Sequence, residues 1–218
     1  MSKKLRLGVM ISGSGTNLQA LIDACAQADY PAKISVVISN RPDAKGLDRA
    51  RDAGLKAVCI DHKGYDDRAV FEDAVHKCLT DHKVQLVCLA GFMRLLGADF
   101  VGRWKDRMIN IHPSLLPSYK GLHTHARALE DGVKFAGCTI HYVRPEMDNG
   151  PIIMQTAIPI ATDETEASLI AKTLTYEHRM YPAAVKLIAE GKVRVSGNKV
   201  VVKEDVALPT EGLISPLA

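Results

Sequence analysis

The stretch LRLGVMISGSGTN, residues 5–17, decides the fold. Leu5 to Ile11 is a short apolar run bounded by glycine, as expected of a strand buried inside a parallel sheet. Gly13 and Gly15 then permit a tight turn. Beyond the turn, Leu18, Leu21, Ile22 and Cys25 recur at helical spacing.

The same alternation continues outward. Ile34–Ile38 reads as a second strand, broken by Asn40–Pro42, and Lys45–Asp52 reads as helical. Ala57–Ile60 is a third strand. Asp66 or Asp67 can cap a helix that carries Val70, Phe71, Ala74, Val75 and Cys78 on one face. Val84–Ala90 is a fourth strand, apolar almost throughout. Four rounds of strand and helix imply an α/β chain, a Rossmann-like, doubly wound, mostly parallel sheet with helices on both faces. Ligands of such sheets gather at the carboxyl ends of the strands.

Further on, Met108–Ile111 is a short strand leading into a proline-rich loop, His112–Gly121. Gly137–Val143 and Ile152–Ile160 read as strands around a turn, Pro145–Pro151. Thr165–Met180 reads as a helix with Leu169, Ile170, Thr173 and Leu174 inward, kinked or ended by Pro182. Val193–Val195 and Val200–Val202 flank Gly197-Asn198 as a hairpin. Leu208–Ala218 is expected to be loosely held.

Composition bounds the function. The 218 residues suit one domain, or one domain with a tail, and can bury a core without disulfides or metals. A net charge of +3 is too weak to argue for nucleic acid or a membrane surface. Cys25, Cys59, Cys78, Cys88 and Cys138 are scattered, with no CxxC pair. That favours reduced thiols in a reducing compartment, and hence a cytoplasmic protein. No apolar stretch is long enough to span a bilayer, and the N-terminal apolar run is too short for a signal peptide.

Four segments can carry chemistry. Ser12-Gly13-Ser14-Gly15-Thr16-Asn17 suits a phosphate at a helix start, or is a plain capped turn. It is not a dinucleotide fingerprint, because Leu18 holds the place of the third glycine. Leu89–Leu96, after the fourth strand, suits a flat aromatic ligand held by backbone groups, or is core. Asn110 and His112 alternate with Ile111 and so point to one side of an extended chain. An amide beside an imidazole can stabilise an oxyanion and pass a proton. Asp148-Asn149-Gly150-Pro151 is a turn by composition, and a carboxylate near an imidazole favours its charged form.

Two further features bear on ligands. His123 and His125 form a His-x-His pair, but no further ligand cluster sits at typical metal spacing, so no metal is expected. Glu177 shares the inward face of the late helix, which suggests either a bound ligand or a buried ion pair.

SGSGTN, LAGFMRLL, NIHPSLLPSYKGLHTH, the DNGP turn and YEHRMYP occur in one order and spacing. In these motifs, which cover nearly the whole chain, the sequence resembles the folate-dependent phosphoribosylglycinamide formyltransferases of purine synthesis. NIHPSLLP with a downstream Asp-x-Gly-Pro is specific for folate formyltransferases, and GLHTH narrows it to the glycinamide branch.

The resemblance implies one formyltransferase domain over residues 1–218. Residues 1–105 would be a phosphate-binding Rossmann-like half and residues 106–218 a catalytic and folate-binding half. Gly15, Thr16, Asn17 and Glu177 would bind the glycinamide substrate, the first three at its phosphate and Glu177 at its ribose. Arg68, Met93, Arg94, Leu95, Leu96, Asn110, Met147 and Asp148 would line the site for 10-formyltetrahydrofolate. Asn110, His112 and Asp148 would be the catalytic trio. The implied partners are small molecules alone, with a monomer or weak homodimer as the assembly. Lys120 stands where the family often has proline, and Met147 and Asn149 vary the more common Leu-Asp-x-Gly-Pro.

The nearest rival is a sister enzyme that hydrolyses formyltetrahydrofolate and shares the trio. Such enzymes usually carry an added N-terminal domain. A methionyl-tRNA formyltransferase would need an RNA-binding extension and a more basic surface. A non-catalytic nucleotide-binding protein would leave Asn110, His112 and Asp148 without a role.

Overall fold

The computed structural model describes residues 4–213 and 215. Its centre is a seven-stranded sheet. Strands β1 (Leu5–Ile11), β2 (Ala32–Ser39), β3 (Ala57–Cys59), β4 (Leu86–Leu89) and β5 (Met108–His112) run parallel. Strands β6 (Phe135–Tyr142) and β7 (Ile152–Pro159) extend one side in antiparallel pairing. The order is β3-β2-β1-β4-β5-β6-β7. The chain therefore winds outward from β1 to β3, then returns to the other side of β1. That reversal opens a crevice at the carboxyl ends of β1 and β4.

Helices α1 (Thr16–Ala26), α2 (Gly46–Asp52), α3 (Arg68–Asp81), α4 (Ala98–Arg103), α5 (Thr124–Glu130) and α6 (Glu166–Ala189) connect and cover the strands. Strand alternation divides the core in two. Val9, Ile11, Val37 and Cys88 pack with Leu18 and Leu21 of α1 and Tyr181 and Val185 of α6. Their neighbours Met10, Val36, Ile38, Val87 and Leu89 pack with Phe71 and Val75 of α3 and Phe100 of α4. Helices lie on both faces, as the apolar runs in the sequence imply. Strands β8 (Val193–Ser196) and β9 (Lys199–Val202) form the expected hairpin as a separate two-stranded sheet.

Several details differ from the sequence expectations. Helix α6 does not end at Pro182 but runs on to Ala189. A proline inside a helix costs about 3 kcal/mol. Tyr181, Ala184 and Val185 are fully buried around it, and each large apolar side chain so buried returns about 1.5–3 kcal/mol. The packing outweighs the missing N–H. Val70 is 56% exposed, because α3 turns Phe71, Val75 and Leu79 inward and Val70 falls beside that face. Ile170 is likewise exposed, while Leu169 and Thr173 are buried. Of the two candidate caps for α3, Asp67 is the cap, its carboxylate accepting from the Ala69 N–H at 2.6 Å. The expectation of a loose Leu208–Ala218 tail falls partly outside the described residues. No helix among those described is long and apolar enough to cross a membrane.

Candidate active site

The glycine turn after β1 is built for close approach. Gly15 has φ +70°, and a β-carbon there would lie 2.7 Å from the Gly46 backbone of α2. Only glycine meets both demands. No side chain caps α1, so its first N–H groups stay open to an anion. Arg49 fastens the turn from behind, its Nε donating to the Ser14 carbonyl at 2.8 Å. Ser12 stitches the crevice together. Its N–H donates to the Gly91 carbonyl at 3.1 Å, and its Oγ accepts from the Met93 N–H at 2.8 Å. No local pattern marks Ser12 for this role, since its partners lie some eighty residues on along the chain.

Glu177 enters this side from α6. It is 5% exposed and accepts from Asn17 Nδ2 at 2.7 Å. Burial pushes its carboxyl above the usual range, and the Asn17 bond opposes that shift only in part. Of the two readings open for Glu177, the buried ion pair is not found among the described residues. Its partner is a neutral amide.

The three residues singled out around β5 come together. His112 is 6% exposed, and its Nδ1 stands 3.5 Å from Asp148 Oδ2. Its Nε2 lies 2.9 Å from the Tyr119 carbonyl, which can only accept, so Nε2 carries a proton there. The turn after β6 carries Asp148 back to β5. Its carboxylate also accepts from the Gly121 N–H at 2.9 Å. Asp148 itself has φ +49°, a conformation that Asp tolerates better than most residues.

A fourth residue, His141, joins them. It sits opposite Asn110 in the β5–β6 register, its Nε2 3.3 Å from Asn110 Nδ2 and 3.7 Å from Asp148 Oδ1. Its Nδ1 faces the Tyr142 carbonyl at 3.0 Å and must donate. Burial lowers the basicity of this ring. A neutral His141 therefore offers Nε2 as an acceptor and fixes which way the Asn110 amide points. The sequence held no local sign of it. Only the strand register, invisible without the structure, pairs position 141 with position 110.

Two of the three residues that depart from the resembled pattern meet, as Lys120 Nζ donates to Asn149 Oδ1 at 2.6 Å. Next to the cluster, Met147 and Leu122 are exposed, and Met93 and Leu95 are exposed on the loop after β4. Large apolar side chains left open around a polar centre suit a flat, partly apolar ligand. Arg94 instead lies over the Phe71 ring, 5.5 Å from its centroid. Arg68 lines a cleft of about 600 Å³ with Asp67, Glu72, Gly97, Phe100 and Arg103, and pairs with Glu72 at 3.8 Å. It makes no ion pair with the trio among the described residues. His123 precedes α5 and His125 lies in its first turn, where burial lowers the basicity of the His125 ring. Among the described residues no group of three His, Cys, Asp or Glu is placed to hold a metal ion.

The chain is similar over most of its length to known proteins. The chain is 40% identical to the phosphoribosylglycinamide formyltransferase of Haemophilus influenzae, over 95% of this chain and 97% of that protein. It is 46% identical to the human trifunctional purine biosynthetic protein adenosine-3 over 90% of its own length. It spans only 19% of that longer relative. The solved glycinamide ribonucleotide transformylase 1 of Symbiobacterium toebii superposes with a TM-score of 0.90 at 46% identity, covering 93% of this chain and 95% of that one. The formyl transferase family model matches residues 5–185, and the chain belongs to that family.

Proposed function

We propose that the chain transfers the formyl group of 10-formyltetrahydrofolate to the amine of 5'-phosphoribosylglycinamide, giving the formylated ribonucleotide and tetrahydrofolate in purine biosynthesis. The observation that carries this reading is the convergence of Asn110, His112, His141 and Asp148 on one face of β5 and β6. Support for the substrate comes from the relatives of matching length, which bear the name of this activity.

The chemistry follows from the groups. An α-amino group has a pKa of roughly 7.7–8.0, so near neutral pH roughly a tenth of the amine is already neutral and can attack without a strong base. Attack on the formyl carbon places negative charge on its oxygen. In our reading the free N–H of Asn110 donates to that oxygen, and a protonated His112, held between the Tyr119 carbonyl and Asp148, supplies positive charge beside it. Asp148 orients His112 and balances its charge. The proton shed by the amine reaches N10 of the departing folate through water, and no covalent enzyme intermediate is needed.

Gly15, Thr16 and Asn17 would hold the substrate phosphate, and Glu177 its ribose hydroxyls. Met93 to Leu96 and Met147 would hold the pteridine, and Arg68 and Arg94 would flank the folate. We assign the trio to the half after residue 105, the phosphate loop to the half before it, and the whole of 1–218 to one domain. The enzyme would work in the cytoplasm on small molecules, as a monomer or weak homodimer and without nucleic acid or membrane.

The test is to supply 10-formyltetrahydrofolate labelled with carbon-13 in its formyl group, together with the glycinamide ribonucleotide. The label is expected on the glycinamide nitrogen. Label found only in free formate would overturn the transfer.

A further inference from the structure

We propose that Arg127 is a positioning residue for His112 and Asp148, acting through the Tyr119–His123 loop. The inference rests on the formyl-transfer reading above. The loop grips the site by two backbone atoms: the Tyr119 carbonyl accepts from His112 Nε2, and the Gly121 N–H donates to Asp148 Oδ2, each at 2.9 Å. Both grips depend on backbone conformation rather than on any side chain.

That conformation is an unusual one. Tyr119 has φ 53° and His123 φ 55°, in the left-handed region that side-chain-bearing residues rarely adopt. Such a backbone persists only where its surroundings hold it. Arg127, on α5, supplies the hold. Its guanidinium donates to the Lys120 carbonyl at 2.8 Å and to the Leu122 carbonyl at 3.4 Å. It also lies over the Tyr119 ring, 5.3 Å from the centroid. Asp131, at the end of the same helix, accepts from the Tyr119 hydroxyl at 2.8 Å. A planar guanidinium stacks and donates in one geometry, which a lysine ammonium does not.

The loop is coupled onward too. Lys120 Nζ holds Asn149, the neighbour of Asp148. A loop released from Arg127 would therefore loosen His112 and Asp148 together. It would leave the glycine turn after β1 and the loop after β4 untouched, so turnover falls far more than affinity.

The experiment compares the full chain with Arg127→Ala, Arg127→Lys and Tyr119→Leu. It measures steady-state transfer from 10-formyltetrahydrofolate to the glycinamide ribonucleotide, and the nitrogen-15 signals of the histidine rings without substrate. Arg127→Ala is expected to lower kcat roughly 10- to 100-fold, the cost of an active-site misplacement of about 1 Å. Both KM values should stay within about twofold. The lysine variant should not restore turnover, and Tyr119→Leu, which removes the stack but not the carbonyl, should show a smaller loss of the same kind. The His112 ring signals should shift while those of His62 stay in place. Normal kcat in Arg127→Ala, a loss confined to KM, full rescue by lysine, or unmoved His112 signals would each overturn the proposal. If the unsubstituted chain transfers no formyl group, the functional reading fails, and the His112 signals alone still decide the role of Arg127.

Discussion

Asn110 and His141 face each other across β5 and β6, the amide nitrogen of one 3.3 Å from the imidazole Nε2 of the other. The contact sets the direction of an amide that has two N–H groups to offer. One is taken by His141, and in the proposed mechanism the other faces the formyl oxygen. On that mechanism, replacing Asn110 by Ala removes the oxyanion donor, a change expected to cost roughly 10²–10³ in kcat. His141→Ala keeps the donor but frees its orientation. Its loss should be smaller, about tenfold, and the double variant should lose no more than Asn110→Ala alone. Parallel kinetics on the three variants check this; an additive double variant would separate the two residues.

Asp148 faces His112 Nδ1 while the Tyr119 carbonyl faces Nε2. Asp148→Asn keeps the size of the side chain and loses its charge. It is expected to lower kcat roughly 10²–10⁴-fold with KM little changed. A variant that binds poorly but turns over normally would contradict the role.

Much of this was legible in the sequence, and for definite reasons. Apolar runs such as Leu5–Ile11 and Val84–Ala90 fix parallel strands, and Asn110 and His112 share a side because strand side chains alternate. What escaped was non-local. His141 acquires its role only through register with Asn110, and Ser12 only through the return of the chain to β4. Pro182 misleads because a local rule is outweighed by burial of Tyr181 and Val185, which no window around the proline reveals.

Glu177 gives a pH-dependent prediction. Its carboxyl is raised by burial, so the folded chain holds this proton to higher pH than the unfolded chain. The stability associated with the protonated group is therefore full below the unfolded value, near 4.5, and is lost as pH rises through the folded value. Glu177→Gln removes the titration and can still accept from Asn17. Its melting temperature should exceed that of the parent at neutral pH, and the gain should vanish towards pH 4.5 and below. The KM for the glycinamide ribonucleotide should rise in the same variant. Melting curves across pH and saturation kinetics read both effects.

Gly150 tests the turn that delivers Asp148. A β-carbon there would collide with the Tyr142 carbonyl oxygen. Because the obstacle is backbone, it cannot swing aside. Gly150→Ala should destabilise the chain by about 1–3 kcal/mol, seen as a drop of a few degrees in melting temperature. It should also cut kcat, since the turn displaces Asp148. Gly132→Ala is a useful control for space, because nothing lies within 4 Å of a β-carbon there. Its φ of 65° makes any cost purely conformational. That variant should retain kcat.

The most direct measurement follows loss of 10-formyltetrahydrofolate by absorbance, with and without the glycinamide ribonucleotide. The folate is expected to be consumed only when the amine is present, in step with formylated product. Equal consumption in water alone would contradict it and make the chain a deformylase.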